Sequence, residues 1–209
     1  MVSVDRKQLT VRDHVPQLAL LRGMQLADPA NFIEQQHVVS LWAHEAERVY
    51  RDTLVSQSAY VTFNKMLRDV CKRYFKDLEQ TQVFAEPFLY SALWQGEDKD
   101  DQSYNRVTKM DGLKSRLETL MAQSLHEGKT QAALTLFDVS IHHVVKIARL
   151  LRLGHALVVG EGGNGKRSLT KLAAWVQGYV VCSLDPSAKY QVCVRVLRSK
   201  CVRECEVAV

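Results

Sequence analysis

A chain of 209 residues with 46% hydrophobic content is long enough to bury a core, as one domain or two small ones. Its net charge of +5 is modest and, except near the C-terminus, its basic residues are interspersed with acidic ones, which argues against a nucleic-acid-binding stripe. No run approaches the roughly 18 apolar residues of a membrane span, and Met1 to Thr10 is too polar for a secretory signal, so a soluble intracellular protein is expected.

Taken in order, Val11 to Met24 carries apolar residues at near-helical spacing, with Pro16 suited to a first helical turn. Asp28-Pro29-Ala30-Asn31 reads as a turn. Val38, Leu41, Trp42, Glu45, Val49 and Tyr50 then recur at three- and four-residue steps, predicting a helix with a buried stripe. Within it, His44-Glu45 looks like the start of a zinc-protease motif. That chemistry needs a second histidine one turn on, where Arg48 stands, so the metal reading is rejected. A second helix presents Tyr60, Phe63, Met66, Leu67, Val70, Cys71 and Phe75 on one face, with Val55 to Ala59 as the connection of a helical hairpin.

The polar segment from Glu86-Pro87 to Asn105, containing Gly96 to Gln102, reads as a domain boundary or surface loop. A calcium loop counted from Asp98 would need glycine at its sixth position, where Ser103 stands, so a solvated acidic loop is expected. Asp111 is expected to cap a helix bearing Leu113, Leu117, Leu120, Met121 and Leu125, ended by Gly128. Leu134, Phe137, Ile141, Val144, Ala148 and Leu151 follow a near-heptad seam, so Leu134 to Asp138 is read as helix, with Arg149 and Arg152 in the last turns. His142 and His143, as neighbours on a helix, point about 100° apart and do not form one metal-binding face.

The centre of the reading lies next. His155 to Val159 reads as an apolar strand, Leu169 to Gln177 as a helix, and Gly160-Glu161-Gly162-Gly163-Asn164-Gly165-Lys166-Arg167-Ser168 between them as a phosphate-binding loop. Glycines let successive N–H groups turn toward an anion, the helix adds its positive end, and Lys166 can reach terminal phosphates. The usual pattern places Ser or Thr directly after the lysine to bind magnesium, whereas here Arg167 intervenes and Ser168 follows about 100° further round. Glu161 adds a negative charge that a triphosphate disfavours.

Tyr179 to Cys182 reads as a second strand, and the tail from Asp185, with Val192, Val194 and Val196 alternating, reads as edge strands or loose chain. The five cysteines are expected as free thiols, and Cys201-x-x-x-Cys205 is a weak zinc signal. No apolar run followed by Asp-Glu comes after Ser168, so binding without turnover is expected.

Gly154 to Ala174 resembles the nucleotide loop of the fourth AAA+ module of dynein heavy chains, the axonemal ones especially, which also separates its lysine and serine by one non-hydroxyl residue. Leu41 to Val55 is similar to the helix in the small lid of the third module, and Leu134 to Ile147 resembles the helix leading into the fourth module's loop. The resemblance covers roughly Gln8 to Ser183 and implies an α/β, mostly helical fold. Residues 1–85 would be a helical AAA+ lid, 86–183 the N-terminal part of an incomplete P-loop module, and 184–209 a divergent tail.

It further implies ATP or ADP as ligand, surrounded by Gly160, Gly162, Gly163, Asn164, Gly165, Lys166, Arg167 and Ser168, with Ser168 the magnesium candidate. Val107 would fall in the adenine-contacting segment, and Arg12 would match the lid arginine that faces the third module's nucleotide. No catalytic residue is assigned. The family consists of ATP-driven, minus-end-directed microtubule motors, so the implied partners are other dynein chains and ring modules and, indirectly, microtubules, without nucleic acid or membrane. The implied location is the cytoplasm, the cytoskeleton and the axoneme of a cilium or flagellum.

Departures from the family pattern qualify this. Leu153 runs straight into Gly154 where the family has extra residues and a proline, and the pattern is lost after about Ser183. An acidic strand, a stalk, a microtubule-binding tip and the main catalytic module have no counterpart, as in a truncated or spliced product. The alternative expectation is a non-enzymatic piece that docks on other dynein modules with its glycine loop empty.

Overall fold

The structure, a computed structural model, describes residues 11–94, 103–127, 134–154, 158–184 and 201–205. The acidic loop at 96–102, the helix stop at Gly128, the stretch His155 to Leu157 and the alternating valines of the tail lie outside the described residues. The chain divides into two units, Met1–Thr108 and Lys109–Val209.

Among the described residues the first unit is built on four helices, α1 (Val11–Met24), α2 (Gln35–Val49), α3 (Gln57–Tyr74) and the single turn α4 (Gln80–Val83). Pro16 stands inside α1 rather than in its first turn, so the helix lacks one backbone hydrogen bond there. The expected turn at Asp28 is present: its carboxylate accepts from the Ala30 N–H at 3.0 Å and opens a short 3-10 turn over Pro29–Asn31. Leu20 of α1, Val39, Ala43 and Ala46 of α2, Leu67 and Cys71 of α3, and Val83 and Phe84 then close one apolar core.

The buried face of α3 is narrower than the sequence suggested. Leu67 and Cys71 lie at its centre, whereas Met66 is 61% exposed and Val70 39% exposed. Each stands about 100° back from its buried neighbour, off the face that enters the core. The link between α2 and α3 also lies earlier than expected, with a 3-10 turn at Arg51–Thr53. It is fastened by Arg51 to Glu47 at 3.3 Å, Arg48 to Asp52 at 3.5 Å, and the Tyr60 hydroxyl donating to the Leu54 carbonyl at 2.7 Å.

Strands β1 (Tyr90–Ser91) and β2 (Asn105–Arg106) pair antiparallel, Tyr90 opposite Arg106 and Ser91 opposite Asn105, so both flanks of the polar connector belong to the first unit. Tyr90 and Tyr104 form a second small apolar cluster with Leu41 of α2. Burial raises the Tyr90 phenol above its usual range, opposed by its hydrogen bond with Ser40 and by the Arg106 charge.

In the second unit α5 (Met110–His126) starts from an extended Lys109, and Asp111 is a first-turn residue instead of the cap. Its carboxylate still favours the positive end of the helix. Helix α6 (Asp138–Leu153) begins later than the apolar periodicity implied, and Leu134 to Phe137 is not helical. The Ser140 hydroxyl accepts from the Phe137 N–H at 2.9 Å and donates to the Phe137 carbonyl at 2.7 Å, which fixes the start of the helix there. Ile141, Val144, Val145, Ile147 and Ala148 of α6 are buried, as are Leu169, Leu172, Ala173 and Ala174 of α7 (Lys166–Val176), and the two helices pack together.

Helix α7 also lies against α5 and against β3 (Val180–Leu184), which pairs in parallel with β4 (Cys201–Cys205). The strand expected before the glycine loop is not formed at Val158 to Gly160, and Val159 is 81% exposed. Among the described residues no helix is long and apolar enough to cross a membrane.

The α3 geometry separates two neighbouring residues in a measurable way. Leu67→Ala should lower the stability of the first unit by about 2–5 kcal/mol, whereas Met66→Ala should stay within about 0.5 kcal/mol, as read by denaturant unfolding. Equal losses would place Met66 in the core and refute the assigned face.

Candidate nucleotide-binding loop

The loop is shaped by backbone freedom that only glycine supplies at no cost. Gly163 adopts φ 83° and Gly165 φ 70°, the left-handed region, and Gly165 is the cap from which α7 starts. The Leu169 N–H reaches the Gly165 carbonyl at 2.9 Å, closing the first helical turn. Gly160 to Asn164 is exposed, Gly165, Lys166 and Ser168 are half-buried, and Leu169 is buried beneath the turn. Leu169, Leu172 and Ala173 thus root the helix in the unit's core while its N-terminus faces outward.

That N-terminus has an unusual electrostatic make-up. No acidic residue stands in the first turn of α7, no side chain caps it, and Lys166 and Arg167 occupy its first two positions. The first N–H groups of any helix lack intrahelical partners and form its positive end. Two cations added there repel that end, and an anion seated on the turn relieves the repulsion.

Lys166 does not extend into solvent. Its Nζ donates to the Gly160 carbonyl at 2.6 Å and to the Glu161 carbonyl, so the side chain folds back over the loop. The loop motif alone gave no sign of this closure, because it depends on where the carbonyls of the turn point. Behind the loop, the Trp175 indole N–H donates to Glu127 of α5 at 3.4 Å and the Tyr179 hydroxyl to the Leu151 carbonyl of α6 at 3.5 Å.

The structure brings Gly160, Gly162, Gly163, Asn164, Gly165, Lys166, Arg167 and Ser168 into one turn, with Ser168 the third residue of α7. Val107 lies in the first unit, fully buried, with its N–H given to the Leu89 carbonyl at 2.8 Å. Arg12 lies in α1 of the first unit, and its side chain is outside the described residues. For metals, no group of three or more His, Cys, Asp or Glu converges among the described residues.

Two family models match the chain, one for an AAA+ lid domain over residues 17–85 and one for the P-loop containing dynein motor region D4 over residues 132–198. The flagellar outer-arm dynein beta chain of Chlamydomonas reinhardtii is 32% identical over 176 residues, 82% of this chain and 4% of that protein. The chain belongs to the dynein heavy-chain family. Human dynein axonemal heavy chain 17 is 35% identical over 155 residues, covering 73% of this chain and 3% of that one. The cytoplasmic dynein heavy chain of Drosophila melanogaster is 31% identical over 164 residues, covering 78% and 3%. This dynein chain therefore spans about 4% of the length of the curated relatives it matches. The α/β, mostly helical class with a lid and a P-loop region agrees with the sequence expectation.

The glycine geometry gives a direct check on the loop. No atom lies within 4 Å of a Cβ built at Gly165, so Gly165→Ala should cost only the left-handed backbone term, about 1–2 kcal/mol in thermal unfolding. Gly162 has no positive φ and is equally open, so Gly162→Ala should stay within about 0.5 kcal/mol. Equal effects at the two positions would contradict this turn.

Proposed function

We propose that the second unit binds ATP or ADP through Gly160 to Ser168, with Lys166 on the phosphates, as part of a microtubule-based motor. The observation that carries this reading is the pair of cations, Lys166 and Arg167, at the uncapped positive end of α7 behind an exposed glycine turn. The phosphates of a nucleotide carry the negative charge that a positive helix end attracts. To reach it, Lys166 exchanges its bonds to the Gly160 and Glu161 carbonyls for bonds to phosphate oxygens.

Magnesium fits less well. Such sites hold the ion through phosphates and one or two carboxylates, and Ser168, the expected hydroxyl ligand, sits one helical step past the usual place. On this reading residues 1–85 serve as the lid of one module and 86–183 as the start of the next, with 184–209 divergent. Arg12 remains the proposed lid-side contact. The relatives named for axonemal heavy chains and a flagellar outer arm support an axonemal location beside other dynein chains, with microtubules as the indirect partner.

One observation favours a second reading, a docking piece with an empty loop: the Lys166 ammonium is already satisfied by the loop's own carbonyls. Calorimetric titration with ADP and ATP separates the two. Saturable binding that weakens by about tenfold or more in Lys166→Ala supports the nucleotide site, and no saturable binding leaves the docking piece.

The serine makes a separate prediction. Ser168→Ala should leave affinity for the magnesium complex of ADP unchanged, and adding EDTA should shift wild type and variant alike. A large loss confined to the magnesium complex would restore Ser168 as a ligand.

A further inference from the structure

The asparagines of the chain, Asn31, Asn64, Asn105 and Asn164, stand in unlike settings. Asn31 closes the 3-10 turn, where its side-chain amide donates to Ser103 at 3.3 Å and to Asn105 at 3.2 Å. The Phe32 N–H that follows it donates to the Pro29 carbonyl at 3.1 Å. Asn64 lies inside α3 with Lys65 after it, and Asn105 lies in β2 with Arg106 after it. Of the four, Asn164 stands outside helix and strand, is exposed, and is followed by a glycine.

That setting matters because the side-chain carbonyl carbon of an asparagine is open to attack by the backbone nitrogen of the next residue. Bond formation between the Gly165 nitrogen and Asn164 Cγ closes a succinimide ring. In a helix or strand the backbone dihedrals are fixed, and ring closure requires leaving them. A side chain on the following residue also crowds the approach. Gly165 has none, and no atom lies within 4 Å of where its Cβ would stand. Its φ of 70° is one that residues with a Cβ disfavour. The attacking nitrogen must first shed its proton. Lys166 and Arg167 on the next two positions, together with the positive end of α7, favour the negative charge that results.

We infer that Asn164 is a site of spontaneous deamidation, and that this modification limits the working life of the glycine loop. Hydroxide takes the Gly165 N–H proton, the nitrogen bonds to Asn164 Cγ, and the Cγ–Nδ2 bond breaks with release of ammonia. Water then opens the succinimide at either carbonyl. One product is aspartate; the other is isoaspartate, in which the backbone runs through Cγ. No electrons are exchanged, and water is the co-reactant. Both products place a carboxylate in the exposed turn, and isoaspartate also adds a methylene to the backbone directly before the α7 cap. The effect on a ligand rests on the nucleotide reading of this loop, whereas the conversion itself does not. A carboxylate at 164 competes with phosphate for the positive helix end.

Peptide mapping by mass spectrometry, on the whole chain incubated at mildly alkaline pH, tests the site without any ligand. Asn164 should convert about tenfold or more faster than Asn31, Asn64 and Asn105, with isoaspartate among the products and a rate that rises with pH. Conversion at Asn164 no faster than at the other three overturns the site. Asn164→Gln, whose longer side chain closes the ring poorly, should remove the product there and leave the other three unchanged. Titration with ADP then reads the consequence. Aged protein and Asn164→Asp should both bind about threefold or more weakly than fresh protein. Converted protein that binds ADP as well as fresh protein would overturn the limit on the loop's working life. If fresh protein binds no ADP while Asn164 still converts, the nucleotide reading fails and the deamidation site stands.

Discussion

The start of α7 is set by two left-handed glycines, Gly163 and Gly165, and the rest of the second unit's candidate chemistry depends on that turn. A residue with a Cβ is disfavoured at those angles, so glycine there fixes where the chain reverses and which N–H groups are left unpaired. Burial of Leu169, Leu172 and Ala173 behind the turn then prevents the helix from rotating or extending backward into the loop. Position, exposure and charge at the loop follow from these two facts together. Lys166 and Arg167 sit at the positive helix end because the turn ends at Gly165, not because either side chain caps anything.

The first unit solves a different problem. Its helices close one apolar core, and the hairpin segment adds the buried Leu89, Tyr90, Tyr104 and Val107 together with side-chain bonds to Glu45, Asn31 and the carbonyls of Gln82 and Ala85. Apolar burial is non-directional and tolerates small displacement, whereas a buried carboxylate accepts only a few geometries. The helical packing and the buried hairpin residues supply bulk stability, and the Tyr104–Glu45 bond adds a directional contact beside the short ladder.

The helices, the Asp28 turn and the glycine loop were legible in the sequence because each depends on local spacing. What was not legible depended on partners. Met66 and Val70 satisfied a helical period yet lie at the margin of the buried face, since periodicity gives a direction but not the width of the neighbour that covers it. The apolar run through Leu134 and Phe137 extended the α6 pattern upstream, but the Ser140 hydroxyl satisfies Phe137 and starts the helix later. At Val158 and Val159, the described end of the strand read from an apolar run, no ladder forms, since a strand exists only where another strand pairs with it. His44-Glu45 was read only as an incomplete metal motif, since Tyr104, whose hydroxyl bonds Glu45, stands 59 residues away and no local signal joins them.

The same division between local and distant information appears in the family comparison. The lid model ends at residue 85 and the motor-region model begins at 132, so the hairpin and α5 fall between them. A family model recognises residues that recur at fixed sequence positions, which suits an amphipathic helix or a glycine turn. The segment carrying Tyr104, Asn105 and Arg106 is identified instead by what a buried charge requires. Glu45 lies inside the lid match and its donor lies outside it, so the physical boundary of the first unit falls after the hairpin, at Thr108. A lid cut at residue 85 would retain the carboxylate while losing the hydroxyl that satisfies it, an arrangement costlier than keeping or removing both.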